Sequence, residues 1–198
     1  LSVDLLYHQL WRKYIIDDSV RRVEIVRLLT LIDKLVDTMY NRQELSVHLR
    51  EFETEFSAEL KYMFTHELLI LTKNGQVQFF HQTLFDYLYA RRFTEKGNDL
   101  LQMLRTQHQG LFSRAAIKSI LSFIREQNPV KYIYILNELL YAKDEDGKDL
   151  YRYHIKSLAL SNMAYFDVPL NEEINLISRK IFMNKLYMDV IFETVHTV

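Results

Sequence analysis

The chain has 198 residues, of which 48% are hydrophobic and 13% aromatic, so it can bury a sizeable core and is not expected to be disordered. Its 25 Lys and Arg residues nearly balance its 26 Asp and Glu residues, which leaves no excess of positive charge for a nucleic acid. The chain has no cysteine, and no apolar run approaches the roughly 20 residues that span a bilayer. We expect a cytoplasmic protein with neither disulfides nor a membrane anchor and, since the first residue is not Met, a part of a longer gene product.

Three helices are predicted at the start of the chain. Apolar residues recur at three- and four-residue spacings over about residues 3–16 and again over about residues 22–40, as in helices that bury one face or more. The segment FSAELKYMFTHELLIL has the same spacing, and Ser57 is suited to be its N-cap. We therefore expect three helices before the period of the sequence changes.

A β-hairpin is predicted next. LLILTKNGQVQFF reads as two short strands with a two-residue turn at Asn74 and Gly75, because Asn-Gly readily adopts the positive φ angles of such a turn. The helix that follows, HQTLFDYLYARRFTEK, is expected to end at Gly97, since glycine takes the left-handed conformation at a helix C-terminus. The order helix, helix, helix, hairpin, helix is that of a winged-helix domain.

The C-terminal half is predicted to contain helices alone. Asn128-Pro129 and Pro169-Leu170-Asn171 place helix-starting residues where proline is tolerated, and KDEDGKD between them reads as a solvated turn. The predicted helices cover about residues 99–107, 111–126, 130–142, 150–166 and 172–195. Paired helices in series favour an array of α-hairpins of the armadillo or HEAT type. The expected fold class is therefore mainly α, with a winged-helix domain that contains one short β-hairpin, followed by this helical array.

His81 is the first candidate site residue, because it lies between the second predicted strand and the closing helix. At such a junction a side chain can point toward a ligand or a partner domain, and an imidazole N–H can donate a hydrogen bond to an anion. The alternative is structural, with His81 capping the helix and packing between Phe80 and Phe85. The position alone favours the structural alternative, because a lone histidine is weak evidence of a site.

The residues around His81 resemble the winged-helix signature of the STAND signalling ATPases, in particular the NACHT group. Phe79-Phe80-His81-Gln82-Thr83 is similar to a pattern in which a hydrophobic residue and Phe precede a histidine and a Ser or Thr follows two residues later. An acidic residue, an aromatic residue and alanine come next in the pattern, as do Asp86, Tyr87 and Ala90 here. Upstream, Asp4-Leu5-Leu6-Tyr7, with Trp11 and Tyr14, resembles the helix that leads into the family's winged helix.

The resemblance covers about residues 1–97 and implies three parts. Residues 1–20 would lead in from the helical subdomain of the ATPase, residues 21–97 would be the winged helix, and residues 98–198 would be a helical repeat-like domain. Two positions depart from the pattern. Phe85 stands where the family often has Gln, and Tyr89 where a small residue is common, which indicates a divergent branch with altered domain contacts.

The resemblance also implies a function. In the family, the winged-helix histidine reaches the phosphates of bound ADP and holds the winged helix against the nucleotide-binding core, which makes His81 the sensing residue here. The implied partners are the upstream nucleotide-binding domain of the same polypeptide, which would bind ADP or ATP with Mg²⁺, and a protein or ligand bound by the helical array. The full-length protein is also a candidate for oligomerisation on activation. Asp86 and Arg91 are possible supporting residues, although charges near helix ends commonly serve the helix dipole.

The chain alone is not expected to be an enzyme or to hold a cofactor. A phosphate-binding loop needs closely spaced glycines and a lysine, whereas the four glycines here are scattered. Asp144, Asp146 and Asp149 around Gly147 faintly suggest a calcium loop. Ala142 and Tyr153 stand where that loop requires carboxylates, which argues against it.

Three other functions compete with the nucleotide switch. A DNA-binding winged helix would use FSAELKYMFTHELLIL for recognition, but Lys61 is the sole Lys or Arg in it and the glutamates would repel phosphates. A helical protein-interaction scaffold would have no nucleotide role, so that His81→Ala would leave nucleotide handling unchanged. A free-standing hydrolase is the weakest alternative, because no nucleophile and base occur with a supporting motif.

Overall fold

The computed structural model describes residues 3–17, 24–106 and 112–196, and the side chains of these residues except 3–5, 112, 113 and 196. The described residues are mainly helical, with ten α-helices and a small three-stranded antiparallel sheet in the N-terminal half, which confirms the predicted fold class at this level. The chain divides into two compact units, Leu1–Arg92 and Phe93–Val198. Within the described ranges, no helix is both long and apolar enough to cross a membrane. The predicted boundary between residues 20 and 21 lies outside them.

Four α-helices start within the described residues of the N-terminal unit. They are α1 (Val3–Leu10), α2 (Ile25–Arg42), α3 (Arg50–Thr65) and α4 (Gln82–Glu95), and a π-helical segment, Trp11–Asp17, continues α1. Helix α2 packs against α3, and its inward face is fully buried at Leu28, Leu31 and Leu35. This burial agrees with the apolar spacing of the sequence. The predicted start of α2 at residue 22 lies outside the described residues.

Helix α3 begins earlier than predicted. It starts at Arg50 and is interrupted at Phe56, whose φ of −127° and ψ of 35° are not helical. Ser57 is therefore the first residue of the second helical part, so the helical segment predicted from Phe56 onward is present, although Phe56 rather than Ser57 has the non-helical backbone at its start. The Phe56 side chain is buried at this point, so the interruption coincides with a core contact.

The sheet contains one strand more than predicted. The strands are β1 (Val47–His48), β2 (Leu69–Leu71) and β3 (Gln76–Phe79), in the order β1-β3-β2 with antiparallel pairing. Val77 on the central strand pairs with Val47 on one side and Leu71 on the other. The sequence did not predict β1, because a strand of two residues is too short to show an alternating pattern.

The hairpin is confirmed, but its turn differs from the prediction. Thr72 N–H donates to the Gln76 carbonyl at 2.8 Å, and Gly75 N–H donates to the Thr72 carbonyl at 3.1 Å, so three residues lie between the last paired residues. Gly75 has a φ of 72°, whereas Asn74 does not have a positive φ. A type I turn followed by a left-handed glycine gives this three-residue loop, and the prediction of a two-residue Asn-Gly turn is wrong.

The end of helix α4 agrees with the prediction. Gly97 has a φ of 71°, and its N–H donates to the Thr94 carbonyl at 3.0 Å. Asn98 N–H donates to the Phe93 carbonyl at 3.2 Å. These two bonds form a Schellman motif, in which a glycine in the left-handed region closes the helix.

The C-terminal unit continues with six α-helices within its described residues. They are α5 (Leu100–Thr106), α6 (Phe112–Gln127), α7 (Pro129–Tyr141), α8 (Tyr153–Ala164), α9 (Asn171–Leu176) and α10 (Lys185–His196). Helix α8 packs against α6, α7 and α10, and α6 packs against α7. Asn128 caps α7, because its side-chain oxygen accepts from Lys131 N–H at 3.0 Å, as the Asn-Pro sequence suggested.

The long helix predicted over about residues 172–195 is divided. A π-helical segment, Ile177–Ile181, follows α9, and α10 begins at Lys185. Asn184 causes the restart, because its side chain accepts from Tyr187 N–H at 3.3 Å. Asparagine is a strong N-cap, so a helix boundary at this position was readable from the sequence.

A buried ion pair joins α6 to the start of α9. Arg125 Nε and Nη2 donate to the two carboxylate oxygens of Glu173 at 2.9 and 2.8 Å. The same Nη2 donates to the Val168 carbonyl at 2.9 Å, and the guanidinium lies 3.9 Å from the ring centroid of Phe166. Glu173 also accepts from Leu170 N–H at 2.6 Å. Both charges are thus hydrogen-bonded inside the unit.

A second buried charge joins α7, α8 and α10. Lys156 Nζ donates to the Leu140 carbonyl at 2.9 Å and to the Tyr187 hydroxyl at 3.2 Å, and it lies 2.8 Å from an oxygen of Asp149. These partners also bind one another or other groups. Tyr187 O–H donates to the Leu140 carbonyl at 2.9 Å, and Lys143 forms an ion pair with Asp149. Hydrogen bonds from Lys143 and then Lys156 lower the pKa of Asp149.

Candidate functional site

His81 lies at the junction between strand β3 and helix α4, as the sequence predicted. Strand β3 ends at Phe79 and α4 begins at Gln82, so His81 is the residue that precedes the helix. Its backbone carbonyl accepts from Leu84 N–H at 3.1 Å and from Phe85 N–H at 3.4 Å, which closes the first helical turn. The imidazole is exposed to solvent. The junction therefore fixes the backbone of His81 and leaves its ring accessible.

The side chain of His81 also caps the helix. Its Nδ1 accepts from Thr83 N–H at 3.2 Å and lies 2.7 Å from the Thr83 hydroxyl oxygen. The ring centroid is 6.2 Å from that of Phe80, with the planes inclined at 56°. Phe85 is buried, whereas His81 is exposed. Capping, one part of the structural alternative, is thus present, and it occupies only one of the two ring nitrogens.

Tyr7 on α1 also contacts the side chain of Thr83. Its hydroxyl forms a hydrogen bond with the Thr83 hydroxyl, and its buried ring lies 5.9 Å from the ring of Tyr87. The sequence pattern placed Tyr7 and Thr83 in two separate parts of one resemblance, and the fold brings them into contact. A hydrogen-bonded series of three side chains, Tyr7–Thr83–His81, thereby connects α1 to the start of α4.

Helix α1 and the π-helical segment that continues it contact helix α4 at two positions that are one helical turn apart. The Tyr87 hydroxyl lies 3.5 Å from His8 Nδ1, and one helical turn further on the guanidinium of Arg91 lies 4.3 Å from the ring centroid of Trp11. Arg91 Nη1 is also 3.5 Å from the Tyr87 hydroxyl. Arg91, predicted as a possible supporting residue, is therefore engaged with the π-helical segment that continues α1, inside its own unit. A cation over an indole ring contributes about 0.5 to 2 kcal/mol, so this contact helps to hold α1 in place.

Asp86 does not join His81. Within the described residues, no hydrogen bond or ion pair connects the two side chains. Asp86 is half-buried on α4, and burial raises its pKa to about 6. In this partly buried position the charged carboxylate is disfavoured relative to the neutral acid, because burial removes part of its hydration.

The exposed face of α3 is acidic. Glu51, Glu53 and Glu55 are all exposed on it. Two of the cations near this face are already paired, with Arg42 at 2.7 Å from Glu51 and Lys34 at 2.8 Å from Glu55. A DNA-recognition helix needs free cations for phosphate contacts, and this face offers carboxylates.

An apolar groove of ≈ 650 Å³ opens beside the candidate site. It runs along strand β2 and is bordered by Phe80, the neighbour of His81. Its other lining residues are Leu10, Tyr14, His66, Glu67, Leu68, Leu69, Ile70 and Leu71. Phe80 is 38% exposed, Ile70 42% and Leu71 51%, so apolar surface borders the groove on both sides of the hairpin. Exposed apolar surface of this kind commonly marks an interaction face.

The other acidic candidates belong to the turn between α7 and α8. Asp144 accepts from the backbone N–H groups of Asp146 and Lys148 at 3.0 and 2.8 Å, so its carboxylate shapes the turn. In the ranges that the structure describes, no group of three or more His, Asp or Glu side chains is placed to hold a metal ion.

Comparison with known proteins gives no match: no family model matches this chain, and no curated protein and no solved structure is significantly similar to it.

Proposed function

We propose that this chain is the non-catalytic regulatory part of a nucleotide-switch protein of the STAND/NACHT type. Its winged helix would sense whether ADP or ATP is bound by an upstream core, and its helical array would bind a protein or ligand. The observation that carries the proposal is the Tyr7–Thr83–His81 series, because it joins the two separate segments of the resemblance. We place the protein in the cytoplasm and propose that the complete gene product oligomerises on activation.

The element order supports the winged-helix assignment. Helices α2 and α3 flank the short strand β1, the hairpin β2–β3 follows, and the sheet order β1-β3-β2 puts the last strand at the centre. In this assignment the hairpin is the wing and α3 stands in the recognition position. For the C-terminal unit, the packing of α8 on both α6 and α10 supports stacked α-hairpins.

His81 has the chemistry that a diphosphate requires. With Nδ1 occupied by the cap, Nε2 is the ring nitrogen available to an outside group, and the ring is exposed. An N–H aimed at a phosphate oxygen forms a charge-assisted hydrogen bond. The upstream core would supply the phosphate-binding loop and hold the Mg²⁺, and His81 would report on the bound nucleotide. Exchange of ADP for ATP would remove the His81 contact and release the winged helix.

The groove along β2 supports a partner domain next to His81. Phe80 borders the groove and adjoins His81, so a domain that contacts the imidazole would also meet Phe80 and Ile70. We assign this face to the upstream nucleotide-binding domain. Burial of such side chains contributes about 25 cal/mol per Å² of apolar surface, which a single hydrogen bond does not supply.

A second candidate is a helical interaction scaffold with no nucleotide role. The capping of α4 by His81 favours it, because the cap gives His81 a structural reason to be present. A DNA-binding winged helix is the weaker alternative, given the acidic face of α3.

The nucleotide content of the complete gene product, purified and acid-extracted, distinguishes these functions. We expect the unmutated protein to retain ADP and His81→Ala to retain at least about tenfold less, since a hydrogen bond to a charged group contributes about 1.5 to 3 kcal/mol. His48→Ala, which removes another exposed histidine of the N-terminal unit, is the matched control. Equal ADP content in both variants would exclude His81 from the site, and absence of nucleotide in the unmutated protein would favour the scaffold.

A further inference from the structure

The hydrogen bonds around His81 determine which ring nitrogen carries the proton. Thr83 N–H can only donate, so Nδ1 of His81 must accept at their separation of 3.2 Å. The Thr83 hydroxyl lies 2.7 Å from the same nitrogen and must also donate to it. In the neutral imidazole the proton then belongs to Nε2.

The same count of donors and acceptors determines the direction of the hydrogen bond between Tyr7 and Thr83. The Thr83 hydroxyl has one hydrogen, and Nδ1 of His81 takes it, so the hydroxyl oxygen must accept from Tyr7 O–H. The three side chains therefore form a one-way series in which Tyr7 donates to Thr83 and Thr83 donates to His81. If any one of these hydrogen bonds ran in the opposite direction, two hydrogens or two lone pairs would face each other.

The series has a consequence for what His81 can bind. Since Nε2 carries a hydrogen, the exposed side of the ring is a donor and suits an oxygen acceptor such as a phosphate. A metal ion needs the lone pair of an unprotonated nitrogen, which this tautomer does not offer on its exposed side.

We infer that Tyr7 is a positioning residue for His81, which acts through the Thr83 hydroxyl to fix the Nε2–H tautomer. Tyr7 is buried and is held by the packing of its ring at 5.9 Å from Tyr87, so its hydroxyl has a fixed place. Displacement of α1 from α4 would remove the Tyr7 donor, so that the Thr83 hydroxyl could also accept from a protonated Nδ1, with only the Thr83 backbone N–H left to oppose that form. The lead-in helix α1 would thereby control the donor that faces the partner. The tautomer follows from the contacts alone, whereas its effect on nucleotide binding rests on the proposed function.

The test is the tautomer of His81, read from its two imidazole nitrogen signals by NMR of the ¹⁵N-histidine-labelled chain. The spectra are recorded at a pH at which imidazoles are neutral, and the signals are assigned by their loss in His81→Gln. We expect Nε2 to be protonated and Nδ1 unprotonated in the unmutated chain. In Tyr7→Phe, the ratio of the Nε2–H to the Nδ1–H form is expected to fall about threefold to tenfold, as for the loss of one hydrogen bond. Thr83→Val should lower it at least as much.

Tyr40→Phe is the matched control, because the ring of Tyr40 stacks on Tyr89 of α4 at 4.0 Å without contributing to the series. It should leave the His81 signals in place. A protonated Nδ1 in the unmutated chain would overturn the inference, and so would unchanged signals in both Tyr7→Phe and Thr83→Val with the helical circular dichroism intact.

A second readout separates this inference from the proposed function. ADP retention by the complete gene product is measured for Tyr7→Phe beside His81→Ala. If the tautomer shifts in Tyr7→Phe but His81→Ala retains ADP, the proposed function fails and the positioning role stands. If His81→Ala loses ADP while the tautomer is unchanged in Tyr7→Phe, the positioning role fails and the proposed function stands.

Discussion

The two units of the molecule use polar side chains in opposite ways. In the C-terminal unit, Arg125 and Glu173 neutralise each other in the interior, and all their described contacts stay inside that unit. In the N-terminal unit, the series that begins at the buried Tyr7 ends at the exposed ring of His81. The first arrangement holds helices together, and the second delivers a hydrogen-bond donor to the surface. A polar network that ends in solvent is therefore the better candidate for function.

The largest effect is expected from breaking the ion pair in the C-terminal unit. Glu173→Ala leaves the Arg125 guanidinium buried without its carboxylate, and such a change costs about 3 to 5 kcal/mol. Urea unfolding followed by far-UV circular dichroism measures the loss. The double variant Arg125→Met with Glu173→Leu is the control, because removal of both charges should restore most of the stability. A loss below about 1 kcal/mol in Glu173→Ala would contradict the role of the pair.

The next largest effect on stability is expected from Asp86 in the N-terminal unit, whose carboxylate has no ion-pair partner among the described residues. The folded-state pKa of Asp86, about 6, lies above its unfolded value of about 3.9, so the folded chain binds the proton more tightly. The unfolding free energy should therefore fall as pH rises from about 4 to about 6, by about 2 to 3 kcal/mol, and stay low above that range.

Asp86→Asn removes this dependence on pH. We expect the variant to equal the unmutated chain near pH 4 and to be about 2 kcal/mol more stable near pH 7. Trp11 is the only tryptophan of the chain and is buried in the N-terminal unit, so its fluorescence during urea unfolding reports on the unit that contains Asp86. The exposed Asp167→Asn is the control. A variant that is less stable than the unmutated chain at pH 7 would contradict the assignment.

A smaller effect is expected at Lys156, although it is as buried as Arg125. Its partners have other contacts: the Leu140 carbonyl accepts from Tyr187 O–H, and Asp149 pairs with Lys143. Lys156→Met removes the charge and leaves these partners satisfied, so we expect a loss of about 1 to 2 kcal/mol in urea unfolding. A loss equal to that of Glu173→Ala would show that the alternative contacts do not compensate.

The smallest effect on stability is expected in the series that reaches the surface. Tyr7→Phe removes one donor and leaves Thr83 able to donate to His81, which costs about 0.5 to 1.5 kcal/mol. Trp11 fluorescence during urea unfolding measures it, with Tyr153→Phe, a change at an exposed ring, as the control. A loss above about 3 kcal/mol would make Tyr7 a part of the structural core above all.

The sequence predicted the parts of this fold that periodicity and capping chemistry determine. The apolar spacing of α2, the cap at Asn128 and the left-handed Gly97 each depend on a few neighbouring residues. Ser57 signalled the helical segment that follows the break at Phe56, whereas strand β1 was missed because it has only two residues and its pairing partner, β3, lies far along the chain. Tertiary packing decides such features, and a local pattern does not contain it.

The candidate site, like the fold, was predictable only in part from the sequence. The strand–helix junction placed His81 from the sequence alone, and the resemblance marked Tyr7 and Thr83 as members of two segments. The contact between Tyr7 and Thr83 needed the fold. A signal for it does exist, since Tyr7 on α1 and Trp11 at the start of the π-helical segment have the same four-residue spacing as Tyr87 and Arg91 on α4.

The central claim is that His81 acts through the donor on its exposed nitrogen, and two substitutions separate this role from capping. Asn places its amide near the position of Nδ1 and can cap α4, whereas Gln extends its amide toward the position of Nε2. The measurement is ADP retained by the complete gene product carrying His81→Asn or His81→Gln. We predict that Gln keeps more ADP than Asn, and that Asn loses it as His81→Ala does. Retention by Asn together with loss by Gln would contradict the claim and leave His81 as a helix cap.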